Sequence, residues 1–273
     1  MLGLATQEVM KLPGVDLQFI TEVLLIFLVS TLRIGAFLLS SPIFGARWLP
    51  LQVRIVMAFA LGTAIAGQTP PVDVVTLTSA AGIMMMLVEI AIGLTAGLTL
   101  TIWFSAILLA GEKIAASAGL GFAAQVDPST GGQTPVVSQI LYLFLLVIFL
   151  SVDGHLLAIG TMLESYRILP IGGTVNPGLL LEAGISAAGS MFLAATIIML
   201  PIALVLLLIN VTIGIITRSA PQLNLFSFGF PISLLAVFIL LYFSASALGG
   251  SAQSLIESAL TALRVLIGGL GDG

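Results

Sequence analysis

The sequence predicts an all-α integral membrane protein, with about six long, kinked hydrophobic helices or helical hairpins and a C-terminal amphipathic helix. Three observations predict this. Of the 273 residues, 59% are hydrophobic and only 7% are charged, against about 25% charged in an average soluble domain. The mean hydropathy is +1.24. The apolar residues also gather into runs long enough to cross a hydrocarbon core of about 30 Å, which takes about 20 helical residues. This composition excludes a soluble globular protein, and a disordered one, which needs much charge and little apolar content. Eight Lys and Arg against twelve Asp and Glu, with a pI near 4.8, leave no basic stripe for nucleic acid. The chain has no Cys, so disulfides, thiolate metal sites and Cys nucleophiles are excluded.

Residues 1–16 are mixed in character, with Glu8, Lys11, Pro13 and Asp16, and form an N-terminal polar segment. The helical domain is expected over 17–250. Its first apolar segment, Leu17 to Leu39, contains Glu22 and Arg33, and continues too far to be a cleaved secretory signal. The second, Val53 to Ala66, is short, with Arg54 at its start. The third, Val74 to Ala110, carries Glu89 as its one charge. The fourth, Val136 to Leu163, contains Asp153 and His155. The fifth, Ala183 to Thr217, has no charge, and the sixth is Leu225 to Leu248. Segment three, about 37 residues, would make a helix of ~55 Å, nearly twice the hydrocarbon thickness. Segments three and five must therefore be bent, folded into hairpins, or extended beyond the bilayer inside an assembly. Gly82, Gly93 and Gly97 are the expected breakpoints in the first, and Pro201 a kink in the second. A conventional count gives six passes, but these lengths argue against it.

Between segments lie turn-rich stretches. Ser41 to Pro50 is a tight apolar connection, and Leu169 to Gly178 is rich in Pro and Gly. Gly111 to Pro135 is the longest non-apolar stretch; Leu120, Phe122 and Val126 keep it apolar enough to enter a non-aqueous space. Its composition suits a loop that occupies and leaves a pore, and equally a plain surface loop. Basic residues divide almost evenly between the two sides, Arg47, Lys113 and Arg218 against Lys11, Arg167 and Arg264, so orientation stays open. The tail, 251–273, contains an amphipathic helix: Leu255, Ile256, Ala259, Leu260, Leu263, Leu266 and Ile267 share one face. Ser254 with Glu257 reads as a capping box that starts it. An interfacial anchor and a docking helix are both consistent with this pattern.

Catalysis finds no support. His155 is the sole histidine, so no two-His metal set forms, and there is no nucleophile elbow, zinc-protease motif or phosphate loop. No cofactor is expected. The intramembrane charges are more informative, because an ionisable group in hydrocarbon costs several kcal/mol unless sheltered. Glu22 and Arg33 share a helix face but stand ~16 Å apart along it, so each needs another partner. Glu89 and Asp153 pose the same question. A proton or ion relay is one reading, and polar pairs between subunits the other. Gly93-x-x-x-Gly97, continuing to Thr101, and Ala58, Gly62 and Ala66 are spaced for close helix packing. Met84-Met85-Met86 suits either a deformable seal or ordinary packing.

The run Arg33-Ile34-Gly35-Ala36 through Ser41-Pro42-Ile43-Phe44-Gly45-Ala46-Arg47, with Pro50 and Val53-Arg54, resembles the start of the FliR family of the flagellar type III export gate. That family is related to the SpaR and YscT proteins of injectisomes. Further matches follow in order: Gly111-Glu112, Gly119, Gly121-Phe122-Ala123, Asp127-Pro128, Pro135-Val136, Gly154-His155, Tyr166 and Leu169-Pro170-Ile171-Gly172. Ala220-Pro221-Gln222-Leu223-Asn224 with Gly229-Phe230-Pro231 resembles the closing signature. The anchors span Arg33 to Pro231. Ser233 stands where members often have a basic residue, and Leu156 where many carry a second His.

The resemblance implies an all-helical chain packed in a helical hetero-oligomer with FliP- and FliQ-like subunits. FlhB- and FlhA-like components would be further partners. It implies a bacterial inner-membrane location in the flagellar basal body, with much of the complex above the membrane plane, and a channel for unfolded flagellar subunits. It further implies that Gly111, Glu112, Lys113, Gly119, Leu120, Gly121, Phe122, Ala123, Asp127 and Pro128 belong to a plug in the closed pore. Glu22, Arg33, Glu89, Asp153 and Arg218 would then find partners on neighbouring chains. The alternative reading is a secondary transporter with discontinuous helices around Glu89 and Asp153.

Overall fold

A computed structural model describes residues 17–67, 76, 79–119, 136–220 and 229–271. The described residues form helices and turns, with no strand among them. In chain order the helices are α1 Leu17–Ser40, α2 Leu51–Ala66, α3 Ala80–Ser117, α4 Val136–Ser151, α5 Gly154–Ile168, α6 Pro177–Ser219, α7 Phe230–Phe243 and α8 Ala245–Gly269.

Helix α3 is the axis of the fold, packed against α1, α4, α6 and α8. Its sequence explains this position: it is apolar all round, as a helix surrounded by others must be. Ile92, Ala96, Leu100, Phe104, Ile107, Ala110 and Ile114 are buried along it. Phe104 meets Phe149 of α4 edge to face, with ring centroids 5.0 Å apart. Helix α3 has 38 residues and α6 has 43, giving lengths of ~57 and ~65 Å. Of the three resolutions open to the long segments, extension is the one adopted. Neither helix breaks at Gly82, Gly93, Gly97 or Pro201. The glycines lie in a helix held by neighbours along its length, and one Pro removes a single ladder bond, a loss that packed membrane helices absorb.

The breaks fall elsewhere. Segment four is two helices, α4 and α5, bent by 66°. The corner is Asp153, with a left-handed φ of 54°, whose carbonyl accepts from the amides of Leu156 at 3.0 Å and Leu157 at 3.1 Å. Behind it Gly154 lies against the Phe149 ring, where a Cβ would collide. Segment six and the tail form a second bent pair, α7 and α8, turning by 67° at Ser244. The expected capping box is therefore incorrect: Ser254 lies nine residues inside α8, which begins at Ala245. Among the described residues, three helices are long and apolar enough to cross a membrane, or up to five if each bent pair is one span.

The tail's periodicity located its buried face. Leu255, Ile256, Ala259, Leu260, Leu263, Leu266 and Ile267 are all buried, while Gln253, Glu257, Thr261 and Arg264 are exposed. The face packs on α3, α4, α5 and α6 of its own chain, not on a membrane surface or a partner, because those helices leave an apolar cleft that the tail completes. Met85 and Met86 pack around Val29, Ile65, Tyr166 and Ile171, and Met84 is exposed.

Candidate functional site

The chemistry of the chain concentrates at two places on α3, one near each end. The first is a seam with α1. On α3, Glu89, Gly93, Gly97 and Thr101 recur every four residues, so they line one side of the helix. On α1 the facing residues are Arg33, Ala36, Phe37 and Ser40. A Cβ at Gly93 would strike the carbonyl oxygen of Arg33, and one at Gly97 the Ser40 hydroxyl and the Phe37 carbonyl. Backbones meet here because the side chains are absent. One turn on, the Thr101 hydroxyl donates to the Ser40 carbonyl at 2.6 Å, satisfying an acceptor at the open end of α1.

This approach brings Arg33 to Glu89. Arg33 is wholly buried and Glu89 is 1% exposed. The guanidinium donates from Nε to Glu89 Oε2 at 2.7 Å and from Nη2 to Oε1 at 3.0 Å, the bidentate geometry that makes an Arg–carboxylate pair strong. Its remaining arm, Nη1, donates to the Ser165 carbonyl at 3.0 Å and the Ser165 hydroxyl at 3.1 Å. The Tyr166 ring lies under the guanidinium, 4.3 Å from Cζ to the centroid, a cation–π contact. The Tyr166 hydroxyl donates to the Ser30 carbonyl at 2.6 Å and accepts from the Ile34 amide at 3.2 Å. Three helices, α1, α3 and α5, are thus joined through one cation. The expectation that Arg33 and Glu89 form intersubunit contacts is overturned: each is the other's partner within the chain. They lie 56 residues apart, and helix spacing within either segment could not pair them.

The second place is the far end of α3. The non-apolar stretch expected to be loop from Gly111 begins later. Gly111, Glu112 and Lys113 are helical, and α3 runs to Ser117. Gly111 is buried against the Ser138 backbone of α4, so this glycine serves packing, and Glu112 and Lys113 face outward. The helix ends at Gly119, whose φ of 81° suits a residue without a Cβ. Leu120, Gly121, Phe122, Ala123, Asp127 and Pro128 lie outside the described residues.

At this end the Asn210 amide of α6 donates to the Ser117 carbonyl at 2.7 Å, and its oxygen accepts from the Ser233 hydroxyl of α7 at 3.1 Å. Sequence reasoning missed Asn210, although a lone carboxamide in a charge-free apolar run was a signal for it. Ser233, singled out as a departure from the family pattern, is buried and is Asn210's partner. Asp153 is exposed at the α4–α5 corner, and Arg218 is exposed in the last turn of α6, where a cation suits the helix dipole. The side chain of Glu22 lies outside the described set. Among the described residues no three His, Asp or Glu gather as a metal site.

Long apolar helices around a central one, with a buried ion pair that ties three of them together, define a polytopic helical membrane protein. A family model described as bacterial export proteins, family 1, matches residues 24–259, and the chain belongs to that family. It is similar to the flagellar biosynthetic protein FliR of Escherichia coli (strain K12), 35% identical over 74% of this chain and 77% of that protein. FliR of Pectobacterium carotovorum subsp. carotovorum is 35% identical over the same shares. FliR of Buchnera aphidicola subsp. Baizongia pistaciae (strain Bp) is 30% identical over 77% of this chain and 82% of that protein.

Proposed function

We propose that the chain, a component of a flagellar protein-export apparatus, is a non-enzymatic subunit of the channel that passes unfolded flagellar proteins across the bacterial inner membrane. It would sit at the basal body among FliP- and FliQ-like subunits, beside FlhB- and FlhA-like components. The observation that carries this reading is the outer surface of α6. From Leu181, 67% exposed, to Ile215, 62% exposed, large apolar side chains stand outward along the helix. That stretch is ~51 Å long, well beyond a hydrocarbon core of about 30 Å. Lipid covers only part of it, and other protein chains of apolar surface must cover the rest.

On this reading the glycine-rich segment after Gly119 would close the lumen at rest and yield when substrate enters. Deleting residues 119–124 in the assembled complex is expected to raise small-ion leakage across the membrane. Unchanged conductance would contradict the plug. The transporter reading loses its two supports. Both long segments run unbroken, and Glu89, its ion ligand, is held by Arg33. Asp153 adjoins the start of α5, ~18 Å along that helix from Ser165.

A further inference from the structure

Helices α1 and α2 are joined by a turn over residues 41–50. Side chains from two other helices and from α2 itself hold its backbone. Thr101 of α3 donates to the Ser40 carbonyl at the entry, and the Tyr142 hydroxyl of α4 to the Pro42 carbonyl at 3.2 Å. Arg54 starts on α2, but its guanidinium reaches back to the turn. Its Nη2 donates to the Ala46 carbonyl and, at 2.9 Å, to the Leu49 carbonyl. Held in this way, the turn presents Arg47 and Trp48 outward; Trp48 is 64% exposed.

No carboxylate answers these cations. Residues 23–72 contain Arg33, Arg47 and Arg54 and no Asp or Glu, and Arg33 is paired with Glu89. Among the described residues neither Arg47 nor Arg54 forms an ion pair, and Arg54 Nη1 has no hydrogen-bond partner. Both sides of the turn are apolar: Leu39 is 49% exposed at the end of α1, and Leu51 56% and Val53 41% at the start of α2. An exposed turn cannot lie within hydrocarbon facing lipid, because its backbone groups would lack water. It can lie at the edge, where an indole finds both an apolar and a wet side.

We propose that this corner is a contact site for anionic phospholipid headgroups, with Arg47 and Arg54 toward the anionic group and Trp48 at the boundary with the acyl chains. An acidic protein surface would answer the arginines but not the exposed leucines and valine on both sides of them. A phospholipid offers an anion and apolar tails in one molecule. The site depends on the membrane location of the fold, and on neither the channel nor the plug.

The test uses the whole export complex in nanodiscs of phosphatidylcholine with a minor share of phosphatidylglycerol. Bromine on the acyl chains of one lipid or the other quenches a tryptophan that it touches. The signal of Trp48 is the difference between each complex and its Trp48→Phe counterpart. In low salt, phosphatidylglycerol is expected to associate with Trp48 at least about fivefold more strongly than phosphatidylcholine, the factor that one cation near an anionic surface supplies. Salt is expected to reduce that preference, Arg47→Gln to remove most of it, and Arg47→Lys to keep it. Quenching by neither lipid would mean that protein covers the corner, and overturns the proposal. Equal quenching by the two overturns the headgroup site and leaves only an interfacial tryptophan. A preference that survives Arg47→Gln overturns it as well, since the anion is then held elsewhere. If Arg47→Gln prevents assembly, the salt dependence of the unmodified complex decides instead: a preference that salt leaves unchanged contradicts the site.

Discussion

Replacing Glu89 with Ala is expected to cost about 3–5 kcal/mol, the range for removing one partner of a buried ion pair. The cost arises because Arg33 remains wholly buried, with Nε and Nη2 deprived of their acceptors. Only the Ser165 contacts and the Tyr166 ring are left to stabilise the cation. The measurement is the thermal midpoint of the purified complex, with the amount of the chain retained in membranes. Removing both charges, as Arg33→Met with Glu89→Leu, is expected to cost less than Glu89→Ala alone, since an apolar pair of similar volume leaves no uncompensated charge. If the double variant is at least as damaged as the single, then the pair does more than neutralise itself. If Glu89→Ala is tolerated, Arg33 is not the enclosed cation described here.

Replacing Gly97 or Gly93 with Leu is the second large effect. At both positions the obstruction is backbone of α1, the Phe37 carbonyl or the Arg33 carbonyl, and backbone in a packed helix cannot swing aside as a side chain can. Each substitution is expected to cost at least about 3 kcal/mol, the upper end of the overpacking range, and to part α1 from α3. Because the same seam carries Arg33 to Glu89, the ion pair is lost with it. Gly160→Ala in α5 is the control. A Cβ there meets nothing within 4 Å, and Ala in a helix interior is favoured over Gly by about 0.5–1 kcal/mol. The thermal midpoints should therefore move in opposite directions.

How much of this was legible in the sequence depended on the range of the interaction. Apolar runs set by a helix's own period were readable, and so was the buried face of α8, down to each of its seven apolar positions. The Gly93–Gly97 spacing indicated close packing, and the structure adds its partner, α1. The excessive length of the third and fifth segments was readable too, but not its resolution, since a glycine or proline tolerated by neighbours looks the same in sequence as one that breaks a helix. Asp153-Gly154 is a turn dipeptide, but it lies inside an apolar run that reads as one segment, and only the structure shows the left-handed φ of 54° there. The tail was expected from residue 251, yet α8 begins at Ala245 and runs through Gly249 and Gly250; burial of its apolar face outweighs their poor propensity.

At the site, the charged residues were identified but not their pairing. Arg33 and Glu89 meet only because two helices approach at glycines four and eight residues beyond Glu89. Asn210 was passed over because it is neutral, although it is the one carboxamide in the charge-free run from Ala183 to Thr217.

The central claim is that the long apolar faces of this chain, α6 above all, are covered by other proteins as well as by lipid. The mass and composition of the intact complex, extracted in mild detergent and measured without dissociation, test it most directly. The account predicts an assembly far heavier than the 28.3 kDa chain, containing chains of different sequence. Recovery of the chain alone at 28.3 kDa, or only as a symmetric oligomer of itself, would contradict it.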